Sequence, residues 1–193
     1  MQEIKLSVLI PVHTNHIPLF NVLYDNLKKQ IAQENANDLV EVLYHVDSGE
    51  ISTGAKRNGL LDKAQGDYVI FPDADDEIPP YYIKELLEAS KSNSDCFGIN
   101  GKMTTDGYNE VKWDLSKDNL NMTIYIDGKP YYKRTTNHIT AVKRGLALMA
   151  RFPDLKLGED KGYSDKVVKF LKTEHKIIPL MYHYKYTSKN KLY

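Results

Sequence analysis

Between Asp67 and Pro80 the sequence reads DYVIFPDADDEIPP, and it sets three carboxylates, Asp73, Asp75 and Asp76, within four residues. Carboxylates this close repel one another and ask for a cation. Hard oxygen donors suit Mg2+ or Mn2+, and Mg2+ is usually held by one or two carboxylates together with substrate phosphates. The cluster therefore predicts a divalent ion and a phosphorylated ligand, against the plainer alternative of a solvated acidic loop. An EF-hand is excluded, because its loop needs Gly at the sixth position and Glu at the twelfth, where Ile78 and Lys84 stand.

The elements that must position these acids follow from hydrophobic pattern. Tyr68 to Phe71 is short, β-branched and aromatic, and reads as a buried strand that delivers the acids at its carboxyl end. If the chain stays extended there, Asp73 and Asp75 share a face. Lys5 to Pro11 predicts a first strand, and Pro18 opens a helix with Leu19, Val22, Leu23 and Leu27 at helical spacing. Val40 to Asp47 predicts a second strand. Thr53 to Gln65 predicts its helix, with Leu60, Leu61 and Ala64 on one face and Gly66 closing it. Pro79 and Pro80 begin a third helix carrying Ile83, Leu86 and Leu87. Three βα units in succession imply a parallel, doubly wound sheet. Ligands of such sheets bind beyond the carboxyl ends of the strands, which is where residues 11–16, 47–52 and 73–77 fall.

After Cys96 the pattern loosens. Short β-prone runs at Tyr108 to Trp113 and Thr123 to Ile126 lead through an Asp127-Gly128 hairpin signal to Tyr131 and Tyr132. Helices are predicted from Ala141 to Arg151 and from Tyr163 to Thr173, with a last strand from Lys176 to Tyr184. The chain of 193 residues, 41% hydrophobic, is long enough for one sizeable core and reads as a single domain. Residues 1–95 carry the three βα units, and residues 96–193 are expected to shape the acceptor side. Lys plus Arg and Asp plus Glu both number 26, so no global field recruits nucleic acid or an anionic membrane. A lone Cys96 and the lack of a signal peptide or membrane-spanning run point to a cytoplasmic protein.

These residues resemble the family-2 glycosyltransferases of the GT-A fold. The elements are SVLIPV at Ser7 to Val12, Asp47 at the second strand end, GAKRNGLL at Gly54 to Leu61, DADD at Asp73 to Asp76, and GED at Gly158 to Asp160. The resemblance implies an α/β, Rossmann-like, mostly parallel central sheet flanked by helices, with a smaller acceptor-side β region. It also implies metal-dependent, inverting transfer of a sugar from a nucleotide-diphosphate sugar, UDP by default, to a hydroxyl of a glycan, a lipid-linked glycan or a modified nucleobase. In that scheme Asp47 accepts from the base, Pro11 and Val12 line the base pocket, and Arg57 sits near the diphosphate. Asp73 contacts ribose or metal, Asp75 holds a Mn2+ or Mg2+ ion, and Asp76 supports it. Asp160 is the candidate general base and Glu159 orients it or the acceptor. Helix capping is the alternative for Asp160, because acidic residues favour a helix start. His183 is open between completing the metal shell and packing, and His138 between meeting a sugar and a structural role. His13 reads as a loop residue. Tyr81, Tyr82, Trp113, Tyr131, Tyr132, Tyr182, Tyr184 and Tyr186 offer faces to a sugar or to the core. A tail with Lys185, Lys189 and Lys191 could fold over the diphosphate or stay solvated.

The sequence departs from the family pattern at two points. Asp47 is followed by Ser48 rather than a second acid, and GED is followed by Lys161-Gly162. No Q-x-x-R-W motif is present, which argues against a processive synthase. A sugar-1-phosphate nucleotidyltransferase would show a Gly-rich loop where Pro11-Val12-His13-Thr14 stands. Transfer to a modified base in phage-type DNA and a catalytically silent nucleotide-sugar-binding protein are the rival readings.

Overall fold

The structure, a computed structural model, describes residues 3–188. Lys189 and Lys191 of the predicted tail lie outside the described residues. Strand β1 (Leu6–His13) runs parallel between β2 (Val40–Asp47) and β3 (Tyr68–Ile70). Its alternation sorts the core into two layers. Val8, Ile10 and Val12 face one side with Phe20, Leu23 and Leu27 of helix α1 (Ile17–Gln33) and Ile83 and Leu86 of α3 (Tyr82–Ser90). Leu9 faces the other with Leu60 and Leu61 of α2 (Thr53–Lys63) and Ala147 of α4 (Arg144–Ala150). Helices on both faces of a parallel sheet are what three consecutive βα units require.

The second half continues the same sheet. A two-residue strand β8 (Val142–Lys143) joins β3 antiparallel and touches β4 (Cys96–Thr105) at Cys96. Beyond β4 come β5 (Tyr108–Leu115), β7 (Lys129–Arg134) and β6 (Met122–Ile126), while β9 (Glu174–Tyr186) runs parallel along β4. Among the described residues nine strands thus form one sheet. The Asp106-Gly107 and Asp127-Gly128 turns both carry positive φ at each residue (51° and 82°, 50° and 74°), the conformation that closes tight hairpins.

Several expected boundaries move. Leu19 and Val22 are exposed, and the buried stripe of α1 is Phe20, Leu23, Leu27 and Ile31. Helix α2 ends at Lys63, so Gly66 does not close it. Gly66 is instead packed against β1, where a Cβ would stand 2.7 Å from Ser7 N. The helix expected from Ala141 starts at Arg144, because Val142 and Lys143 are drawn into the sheet. The helix expected from Tyr163 starts four residues earlier, as α5 (Glu159–Val167). Among the described residues no helix is long and apolar enough to cross a membrane.

Candidate functional site

Beyond the carboxyl ends of β1, β2 and β3, where doubly wound sheets form their ligand crevice, the start of α2 stands on one side and the residue 73–77 turn on the other. The frame is held from outside by the segment 152–156. Ser52 caps α2 by accepting from Ala55 N–H at 3.0 Å, and Gly54 N–H donates to Leu155 O at 3.1 Å. A Cβ on Gly54 would lie 1.9 Å from Pro153 O, so only glycine admits this contact.

At the β2 end, Asp47 is tied down by its surroundings. Its Oδ1 accepts from Lys56 Nζ and from Gly49 N–H at 3.2 Å, and its Oδ2 accepts from Ile51 N–H at 3.2 Å. Lys56, only 5% exposed, also donates to Val12 O at 3.4 Å. Burial pushes the Asp47 carboxyl up, but these donors outweigh it and leave the group below the usual carboxylate range. Val12 corrects an expectation. It is fully buried in the core, on the same face as Val8 and Ile10, and its carbonyl accepts from Lys56 Nζ. Pro11, of opposite parity, is half-buried. His13 Nδ1 accepts from Asn15 N–H at 3.1 Å and starts the short turn that carries His16.

At the β3 end, Arg57 is buried and bridges two acids. Its Nη1 donates to Glu159 Oε1 at 2.6 Å and its Nη2 to Asp73 Oδ1 at 2.7 Å, with the guanidinium over the Phe152 ring at 5.3 Å. Asp73 Oδ2 lies 3.2 Å from His138 Nε2, and Asp73 N–H donates to the Tyr182 hydroxyl at 3.0 Å. Burial would raise the Asp73 carboxyl, yet His138 and Arg57 hold it well below the usual range. Glu159 is raised by burial, with Arg57 opposing. Arg57, placed near a diphosphate by sequence, ties the end of β3 to the start of α5.

The acidic segment is not extended. The chain turns at Ala74 and Asp75, with Asp76 N–H donating to Asp73 O at 3.3 Å, so Asp73 and Asp75 do not share a strand face. Asp75 turns toward the β1 side, with Oδ2 3.8 Å from His16 Nδ1. Asp76 accepts from Lys185 N–H at 2.9 Å through Oδ1, while its Oδ2 is buried without a partner. Burial and then the Asp73 charge raise the Asp75 carboxyl. The same causes, joined by Asp75, push Asp76 up to about 8. An unpartnered buried oxygen and two carboxyls that resist ionisation fit a dication held by Asp75 and Asp76 together with donor phosphates. Among the described residues no three His, Cys, Asp or Glu side chains are arranged to hold an ion by themselves.

Asp160 sits in the first turn of α5 with Oδ1 accepting from Lys161 N–H at 2.7 Å. It lines a cavity of about 270 Å3 together with Asp73, Asp76 and His138, and Trp113, Tyr132, Tyr182 and Tyr184 give that cavity aromatic walls. Tyr82 and Tyr182 are otherwise fully buried. A larger hollow of about 840 Å3 opens at the other end of the strands, among Lys5, Asp67 and Arg144, and contains none of the candidate residues. His183, on β9, has both ring nitrogens engaged. Nδ1 is 3.1 Å from Glu77 Oε2 and Nε2 is 2.9 Å from Thr104 Oγ1, while its backbone pairs with Glu77. Glu77 also accepts from Lys185 Nζ at 2.9 Å, so the described part of the tail folds back onto the acidic turn.

The structure brings Asp73, Asp76, His138 and Asp160 to one cavity and Arg57 and Glu159 behind it, while Pro11, Val12 and Asp47 stand apart at the β2 end. Lys56 and His16 were missed. Lys56 lay within a noted motif and His16 within the first loop, but neither contact has a sequence signal, since each depends on how two distant elements meet.

The profile of the family described as Glycosyl transferase family 2 matches residues 25–157. That span includes Asp47, Arg57 and the acidic turn, whereas Pro11, Val12, Glu159, Asp160 and His183 lie beyond it. Among solved structures the chain is similar to S. aureus TarS 1-349, with a TM-score of 0.65 at 21% identity, over 94% of this chain and 60% of that one. It is similar to the same protein in complex with UDP-GlcNAc (TM-score 0.65, 19% identity, 94% and 58%) and with UDP (TM-score 0.66, 21% identity, 94% and 60%). The chain spans about 60% of the length of these structures, and at such identities the likeness is one of fold. No curated protein matches it.

Proposed function

Given that the chain belongs to glycosyl transferase family 2, we propose that it moves a sugar from a nucleotide-diphosphate sugar, a uridine donor being the first choice, to an acceptor hydroxyl with inversion at the anomeric carbon. The observation that carries this reading is one cavity lined both by Asp160 and by acids of the β3 end, Asp73 and Asp76. The UDP-GlcNAc and UDP complexes of similar fold support the choice of donor.

In this reading Asp160 takes the proton of the acceptor hydroxyl as its oxygen bonds to the anomeric carbon. The bond from that carbon to the phosphate oxygen breaks on the opposite face, and its electron pair leaves with the nucleoside diphosphate. An ionised Asp is a weak base, so its value lies in placement and in late proton transfer. Placement is supplied from behind: Arg57 ties Glu159, the neighbour of Asp160, to Asp73. Asp75 and Asp76 would hold Mn2+ or Mg2+, which when bound offsets the charge that builds on the departing diphosphate. Trp113 and Tyr132 offer faces against which an acceptor ring can stack. A silent nucleotide-sugar binder would have no need of a carboxylate at this position, and Asp160 lining the cavity speaks against it.

The test is a donor panel with and without Mn2+, reading released nucleoside diphosphate in wild type, Asp75→Ala and Asp160→Asn. Release that requires the ion, vanishes in Asp75→Ala and falls by roughly 10^2 to 10^4 in Asp160→Asn with UDP affinity kept is the expected pattern. Turnover indifferent to chelation and to Asp75→Ala would contradict the role of Asp75. Wild-type rates in Asp160→Asn would remove it as the base.

A further inference from the structure

The environment of Asp47 has a consequence for which base the crevice accepts. A carboxylate offers about four lone-pair positions. Here Lys56 Nζ and Gly49 N–H occupy Oδ1, and Ile51 N–H occupies one position of Oδ2, so a single acceptor position remains, on Oδ2. Lys56 is not free to leave. It is buried between α2 and β1, and its ammonium is shared with the Val12 carbonyl. Without it, Oδ1 would regain a lone pair and Asp47 could receive two donors side by side.

We propose that Lys56 is a specificity-determining residue that makes Asp47 a reader of one N–H, selecting uracil over guanine. The inference rests on the nucleotide-sugar reading above and deepens it by naming the residue that filters the base. Uracil presents one imide N–H between two carbonyl oxygens, which a carboxylate with one remaining position satisfies. Guanine presents N1–H and N2–H together and needs both carboxylate oxygens, as one donor facing a saturated Oδ1 would be left unpaired. Lys56 touches neither phosphate nor sugar in this scheme; it acts through Asp47, as a positioning residue.

The experiment is titration calorimetry with UDP and with GDP in the presence of Mn2+, on wild type, Lys56→Met, Lys56→Arg and Asp47→Asn, each checked for folding by thermal melting. Wild type should bind UDP at least tenfold more tightly than GDP. In Lys56→Met that ratio should shrink at least fivefold, in part through tighter GDP binding, and Lys56→Arg should keep the wild-type ratio by refilling Oδ1. Loss of fold weakens both nucleotides alike and cannot mimic a change of preference, and should Lys56→Met fail to fold, the same shrinkage of the ratio is read in Lys56→Ala. Equal binding of UDP and GDP by wild type, or an unchanged ratio in folded Lys56→Met, overturns the proposal. Unchanged UDP affinity in Asp47→Asn also overturns it, by moving base recognition elsewhere while leaving sugar transfer intact. No binding of either nucleotide to wild type instead removes the nucleotide-sugar reading itself.

Discussion

Replacing Arg57 by Met tests whether this residue is a structural clamp or a phosphate ligand. Arg57 makes two charge-assisted hydrogen bonds, and the partners differ in what they lose. Glu159 has only 9% of its side chain exposed and would be left as an uncompensated buried carboxylate. Breaking one partner of a buried pair costs about 3 to 5 kcal/mol. Asp73 is one-third exposed and its carboxylate keeps His138, so solvent screening reduces its share to about 0 to 1 kcal/mol. Taking the low end of the buried-pair range gives a loss of about 3 kcal/mol. In a domain of this size that corresponds to a fall in Tm of roughly 6 to 12 °C. Differential scanning calorimetry of wild type, Arg57→Met, Glu159→Gln and the double variant measures it. The double variant should recover much of the Arg57→Met loss, because the stranded charge is gone. A melting temperature for Arg57→Met within about 2 °C of wild type, with UDP affinity lost, would refute the clamp and return Arg57 to the diphosphate.

Two other outcomes follow from the same geometry. Asp76 has its pKa raised to about 8, so the native state keeps a proton that the unfolded chain releases; in metal-free protein this group's contribution must fall as pH climbs from near 4 to 8. Asp76→Asn should flatten that decline and melt higher than wild type at pH 8, by on the order of 5 kcal/mol at most, and parallel pH profiles in chelator would sink the idea. Gly54→Ala forces a Cβ against the Pro153 carbonyl and should cost about 1 to 3 kcal/mol with loosening of the 152–156 segment, read by melting and by hydrogen exchange at Leu155; a neutral effect would mean that the segment yields freely.

The first half of the fold was legible because its physics is local. Val40–Asp47 reads from its β-formers Val40, Val42, Tyr44 and Val46, and Leu60 and Leu61 from helical spacing above a parallel strand. The second half answers to partners far along the chain. Val142 and Lys143 look helical by pattern, but β3 and β4 leave a gap that draws them into the sheet. The acidic cluster was visible as chemistry and wrong in conformation. Alternation would align Asp73 with Asp75, but the turn at Ala74 and Asp75, docked on β9 through Glu77 and His183, sends Asp76 toward Asp160 instead. That Glu159, 102 positions later, reaches Arg57 has no signal in the sequence.

Placing the cations against the acids explains why the crevice is charged where it is. Lys56 and Arg57 are neighbours on one helix, about 100° apart around its axis, and so reach opposite ends of the crevice. Lys56 matches Asp47; Arg57 matches Asp73 and Glu159; Lys185 matches Glu77. Each of these acids is therefore engaged by a cation before any ligand arrives, one guanidinium being shared by Asp73 and Glu159, and the pairs fix backbone: the loop after β2, the end of β3, the start of α5. Asp75, Asp76 and Asp160 are the acids of the site for which, among the described residues, no Lys or Arg ion pair exists. Asp76 is buried and keeps a proton, its carboxyl pushed up to about 8, while Asp75 and Asp160 are partly exposed. The acids without a cation are confined to the turn and to the helix start, and Asp76 and Asp160 share one cavity. On the reading above, these are the two places where a dication and a proton are to be received, and a Lys introduced beside either should stabilise the protein while suppressing transfer.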